Sequence, residues 1–206
     1  MALKKTTEAL LELKEIMWGI KAARTNMANY YLDIETQGLD PEADQIITIQ
    51  FQKLDWDTGE PVGDLTILKA WDSSEKEILE KFQIILGESQ WDFVAHGYCL
   101  GFEDKFLRER SIACGLEKPI RLFDRPTVDL HSVGILMNGG SFKGSGLDKI
   151  TGKKNNGLAC LTFYNLKKYD KVTNYIKQET EEYLEFYSWL RQRMPKLMTE
   201  FHADCL

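Results

Sequence analysis

Residues 30–54 read YYLDIETQGLDPEADQIITIQFQKL, and this stretch decides the fold. YYLDIE, 30–35, is an apolar run around two acids, closed by the turn-like QGLDPEAD at 37–44, and so reads as a strand. QIITIQFQKL, 45–54, is a second strand, β-branched in its first half. WDTGEPVGD, 56–64, brings two glycines and a proline and reads as a hairpin connection into a third strand, LTILKA, 65–70. Three consecutive strands with short connections predict an antiparallel meander.

Downstream the period changes. Ser73 or Ser74 can cap a helix, with Glu77 at capping-box spacing from Ser74, and Ile78, Leu79, Phe82 and Ile85 or Leu86 give it an apolar face up to Gly87. WDFVAH, 91–96, reads as a fourth strand and Phe102–Cys114 as a helix stopped by Gly115. A fifth strand is expected within Leu122–Leu130, broken by Pro126, then a helix holding Val133 and Leu136. A long helix should begin near Asp170, run toward Met194 and end at Pro195. The sum is an α/β mixed sheet with three antiparallel N-terminal strands and flanking helices. A Rossmann site would want glycines after the first strand, where two acids stand instead.

Ahead of the first strand, Leu10, Leu13, Ile16, Met17 and Ile20 recur at helical spacing among Glu and Lys. Residues 4–26 are therefore expected to be a helix. The division predicted is an N-terminal helical extension over 1–27, a main domain over 28–194 and a tail over 195–206.

The whole chain has 206 residues, 43% hydrophobic and 28% charged, which is ordinary globular composition. Thirty-two acids against 26 bases leave a net charge of -6. That weighs against a protein that coats long nucleic acid, which needs many phosphate-neutralising cations. It leaves room for an enzyme that holds a few nucleotides over bound metal. No apolar run approaches a membrane span and no cleavable leader is evident, so no membrane contact and a cytoplasmic location are expected. Cys99, Cys114, Cys160 and Cys205 form no CxxC pair, which removes a zinc ribbon or a thioredoxin-like site.

Asp33 and Glu35 stand at i and i+2 of the first strand, so both carboxylates leave the same face. Like charges so close repel unless a cation shares them, and hard oxygens suit Mg²⁺ or Mn²⁺. The bland reading is a solvated strand end. FVAHGYCLGFEDKFL, 93–107, leads a strand through a glycine-bearing loop into a helix with Glu103 and Asp104 in its first turn, where acids also serve simply as caps. Tyr175 and Glu179 share a helix face at i,i+4. That face continues to Tyr183, so a structural aromatic stripe fits the spacing equally. Gly139, Gly140, Gly144 and Gly146 crowd a segment that is either a mobile loop or a binding loop, with Lys143, Lys149, Lys153 and Lys154 around it; no GKS or GKT makes it a P-loop.

Taken in order, these features resemble the DEDD 3′-5′ exonucleases of the ribonuclease H-like superfamily, specifically the exonuclease domain of family B DNA polymerases and its stand-alone relatives. YLDIETQGLDPEADQIITI is similar to the family's DxE motif. GFEDKFL resembles its second motif with Glu103 at the Asp position. Tyr175-Ile-Lys-Gln-Glu179 resembles YxxxD with Glu for Asp, and 128–152 looks like the connection between them. The resemblance covers roughly 28–194. It implies two divalent ions, Mg²⁺ or Mn²⁺, held by Asp33, Glu35, Glu103 and Glu179, with Tyr175 orienting the attacking water. The implied activity is 3′-5′ hydrolysis of single-stranded or frayed DNA ends, with RNA as another substrate and DNA repair among the settings. Because Glu is one methylene longer than Asp, the other reading is a catalytically silent nucleic-acid-binding or partner-binding module on the same fold.

Overall fold

The computed structural model describes residues 27–152 and 157–205. The helix expected over 4–26, and Lys153 and Lys154, lie outside the described residues. Strands β1 (Asn29–Thr36), β2 (Ile46–Leu54) and β3 (Pro61–Lys69) form the expected meander. Then follow α1 (Glu75–Leu86), β4 (Val94–Gly97), α2 (Leu100–Ala113), β5 (Thr127–Asp129), α3 (His131–Met137), α4 (Leu147–Thr151), α5 (Gly157–Asn165) and α6 (Tyr169–Cys205). The sheet order is β3-β2-β1-β4-β5. β1 runs antiparallel to β2 and parallel to β4, and β5 continues parallel to β4. β1 is thus the central strand, with the acids at its C-terminal half. This is the mixed α/β plan read from the sequence.

Strand alternation divides β1 between two layers. Leu32 and Ile34 join Ile49 and Phe51 of β2 against Ile78, Leu79 and Phe82 of α1 and Leu100, Phe106 and Leu107 of α2. Burying each such side chain contributes about 1.5–3 kcal/mol, which makes this layer the main core. Tyr31, on the opposite face, packs with Tyr183, Phe186, Tyr187 and Leu190 of α6. Beside it, Ile47 meets Cys160 of α5 and Val172 and Ile176 of α6. The face that carries Tyr31 also carries Asp33 and Glu35, so α6 covers the acids.

Ser74 caps α1 as expected, accepting the Glu77 N–H at 3.2 Å. Gly97 ends β4 where only a hydrogen fits, since a Cβ there would lie 2.9 Å from the Leu32 carbonyl oxygen. The long helix does not end at Pro195: α6 carries Pro195 inside it and continues to Cys205. Proline forfeits the bond to the carbonyl four residues back. Past that point α6 is exposed, so no packed neighbour is disturbed by the lost bond. β4 begins at Val94 rather than Trp91, because Ser89–Asp92 forms a turn in which the Ser89 N–H donates to Asp92 at 2.8 Å. No helix among the described residues is long and apolar enough to cross a membrane.

Candidate metal centre

The carboxylates of Asp33, Glu35 and Glu179 converge, each offering an oxygen within 4.8 Å of the others. Two come from β1 and the third from α6, so the cluster exists only because the helix crosses the sheet face that the strand pattern exposes. They open on a cavity of about 1040 Å³, whose wall also includes Tyr98, Cys99, His131, Asp148 and Tyr175.

Glu103 approaches Asp33 from the first turn of α2. It is 3% exposed and lies beside Asp33, and its Oε2 has no hydrogen-bond partner among the described residues. Asp104 is turned elsewhere: its Oδ1 accepts the Leu122 N–H at 2.6 Å and the Phe123 N–H at 3.3 Å, holding the segment before β5. It is a structural cap and Glu103 is the residue that faces the cluster. The α2 start is set by Cys99, whose φ of 72° places it in the left-handed region. Asp129 Oδ1 accepts the N–H groups of both Cys99 and His131, each at 2.9 Å, joining the α2 and α3 starts.

Tyr175, 7% exposed, lies beside Glu179, one helical turn away. Burial and then the Glu179 charge push its phenol far above the ordinary range, so it keeps its proton and acts as a donor. All four acids are pushed up, burial first. Asp33 rises to about 6 and Glu179, which feels the Asp33 charge, to about 8. Glu35 and Glu103 are raised well above the usual carboxylate range by burial and neighbouring carboxylates. Such a set is uncomfortable without cations and fits a divalent ion: hard oxygens, convergent geometry and an unpartnered buried Glu103 oxygen.

Two neighbours went unread in the sequence. Gln50, fully buried on β2 and paired in register with Asp33, donates from Nε2 to Asp33 Oδ2 at 2.9 Å while its Oε1 accepts Thr48 Oγ1–H at 2.9 Å. Its signal was available, since Thr48, Gln50 and Gln52 alternate along an otherwise apolar strand, opposite Glu35, Asp33 and Tyr31. Cys160 places its thiol against Glu35. Nothing in its local sequence marks it.

No family model matches the chain, and no curated protein matches it in sequence. The fold, however, is shared with solved structures. The crystal structure of E. coli Exonuclease I in complex with a dT13 oligonucleotide gives a TM-score of 0.54 at 12% identity, over 85% of this chain and 43% of that one. The zinc-bound form of the E. coli Exonuclease I complex with single-stranded DNA gives 0.54 at 12% identity, over 86% and 43%. The Exonuclease I complex named for SSB-Ct gives 0.52 at 12% identity, over 86% and 43%. The likeness is one of fold. The chain spans less than half the length of these proteins.

Proposed function

We propose that the protein is a metal-dependent 3′-5′ exonuclease acting on single-stranded or frayed DNA ends. Its site would be of the kind carried by family B polymerase exonuclease domains, with Tyr175 four residues ahead of Glu179. One observation carries the reading: Asp33, Glu35 and Glu179 meet within 4.8 Å, with Glu103 beside Asp33. The fold shared with Exonuclease I, solved with single-stranded DNA, supports it.

Asp33 neighbours both Glu103 and the Glu35–Glu179 pair, so it is the carboxylate that would serve two ions. Gln50 holds its Oδ2, which fixes the direction in which its remaining lone pairs point. Two divalent ions, Mg²⁺ or Mn²⁺, would be held by Asp33, Glu35, Glu103 and Glu179 and would supply a water of lowered pKa and positive charge against the phosphodiester. The Tyr175 hydroxyl, which keeps its proton, would orient that water rather than deprotonate it. Glu103 and Glu179 keep the charge and the oxygens of the aspartates they replace, and both reach toward Asp33.

Purified protein with Mg²⁺ or Mn²⁺ should shorten a 3′-labelled single-stranded oligonucleotide. Asp33→Ala should lower that rate by more than about 100-fold, beyond the 10–100-fold typical of losing a mere outer-shell partner. Its thermal midpoint without metal should not fall, because a repelling carboxylate is removed. Oligonucleotide binding without cleavage, and no heat of ion binding, would instead indicate the silent module.

A further inference from the structure

The glycine-rich segment between α3 and α4 is neither slack nor part of the carboxylate cluster. Asn138 Nδ2 donates to the Ser141 carbonyl at 2.8 Å and the Lys143 carbonyl at 2.9 Å, folding the segment on itself. Ser145 Oγ lies 2.8 Å from the Phe142 carbonyl and 2.9 Å from His131 Nε2, and the Tyr98 hydroxyl donates to the Ser145 carbonyl. Gly144 turns the chain at a φ of 90°, a conformation other residues rarely adopt. Tyr98 and His131 both line the carboxylate cavity. The segment is therefore tied to the cavity wall.

What this tied loop holds outward is Phe142. Its ring is 73% exposed and meets the His131 ring at 5.2 Å and 84°. A phenyl left in water gains nothing for the fold, and here the backbone that carries it is fixed by side chains of the site. Lys143 follows it, exposed, and Lys149, also exposed, lines the cavity. In a chain of net charge -6, Lys143 and Lys149, the latter 3.2 Å from Asp148, are the cations flanking this loop. A fixed aromatic ring with cations on a loop tied to the wall of a carboxylate cavity is an arrangement suited to single-stranded nucleic acid, because every base has a π-face and every linkage a phosphate.

We propose that Phe142 is a stacking platform for a base within the last few nucleotides of the entering strand, with Lys143 and Lys149 against its phosphates. The inference rests on the exonuclease reading and deepens it. A base can lie on Phe142 only when it has left its neighbours and its partner, so the platform selects unpaired ends over duplex.

The test is fluorescence anisotropy of a labelled dT oligonucleotide, with Ca²⁺ in place of Mg²⁺, for wild type, Phe142→Ala and Phe142→Trp. Phe142→Ala should weaken binding about 10-fold, within the roughly 5- to 150-fold expected for one lost base–aromatic stack. Phe142→Trp should restore it, and an oligonucleotide with abasic 3′-terminal positions should bind wild type and Phe142→Ala alike. Equal affinity of wild type and Phe142→Ala for the dT oligonucleotide, or no rescue by Trp, would overturn the proposal and leave Phe142 to a protein partner. Hydrolysis by wild type in Mg²⁺ is scored separately. If it is absent while the Phe142 difference persists, the exonuclease reading falls and the platform stands; if it is present without the difference, the reverse holds.

Discussion

At the scale of single residues, the four acids differ in how legible they were. Asp33 and Glu35 follow from strand period alone, because i and i+2 share a face whatever packs on it. Glu103 and Asp104 are adjacent acids in one helical turn, and only the structure separates them: Asp104 is engaged by two backbone N–H groups, and Glu103 turns to Asp33. Gln50 is legible only through its face, because strand propensity alone gives a polar residue in an apolar strand no role. The protonation of this set yields a prediction. Burial pushes Asp33 up to about 6 and, with the Asp33 charge, Glu179 up to about 8, both above the ordinary carboxylate range. The native state therefore binds more protons than the unfolded one between those limits, and stability present at low pH is lost as pH rises through 6 and 8. A divalent ion needs the deprotonated set, so its stabilising effect grows over the same range. With Mn²⁺ at about 100 times its Kd, the stabilisation is about 2.7 kcal/mol, a rise of roughly 5–10 °C for a domain of this size. Scanning fluorimetry should show that rise at pH 8 and little of it at pH 5. A metal-induced shift independent of pH would contradict the assignment of these groups as ligands.

At the scale of elements, type was legible and extent was not. The Tyr and Leu positions predict α6, but they predict its end at Pro195, where local propensity breaks and the helix does not. α4 and α5 carry no periodic signal. α4 has five residues, too few for a period, and α5 starts at Gly157 with apolar residues all round. A second hidden feature is the ion pair between α1 and α2. Arg110 Nε and Nη2 donate to the two oxygens of Glu75, both at 2.8 Å, while Glu75 Oε1 also accepts the Ile46 N–H and Arg110 Nη1 reaches the Pro41 carbonyl. The pair fastens the turn that leads from the acids of β1 into β2. Both side chains are nearly buried, so removing one leaves the other charged and unsolvated. Arg110→Ala should lose about 3–5 kcal/mol in urea titration, and amide exchange at Ile46 should accelerate more than at Leu79. Replacing both partners by apolar residues should cost less than replacing either one. A loss under 1 kcal/mol for Arg110→Ala would mean that the turn is held by its own bonds.

At the scale of the whole molecule, α6 docks on one face of the sheet, and one titratable group sits at that contact. His96 of β4 is 5% exposed, its Nε2 lies 3.0 Å from Asn29 Oδ1 of β1, and its ring meets Tyr187 of α6 at 5.3 Å. The mixed sheet is foreseeable from the order of elements, but a histidine of β4 joined to β1 and α6 is not, since its two partners are 67 and 91 residues away in sequence. With Nε2 donating to Asn29, neutral imidazole leaves Nδ1 a bare acceptor. Protonation would add an N–H there that finds no partner among the described residues. Burial, and then the Arg191 charge, lower its pKa from 6.5 to about 4. Between those values the unfolded chain binds the extra proton and the fold does not, so this stability is present above 6.5 and lost as pH falls toward 4, up to about 3 kcal/mol. The carboxylates of the metal centre slope the other way over part of that range, which would blur a single pH profile. Comparison with His96→Gln removes the overlap, because the acids are common to both proteins. At pH 7 the variant should be the less stable, having lost the ring against Tyr187. In metal-free urea titrations the gap should then narrow from pH 7 to 4.5, as the wild type alone loses the histidine contribution. A gap that stays constant over that interval would show that His96 is protonated in the fold as readily as in the open chain, and that the docking of α6 on the sheet does not depend on its neutral form.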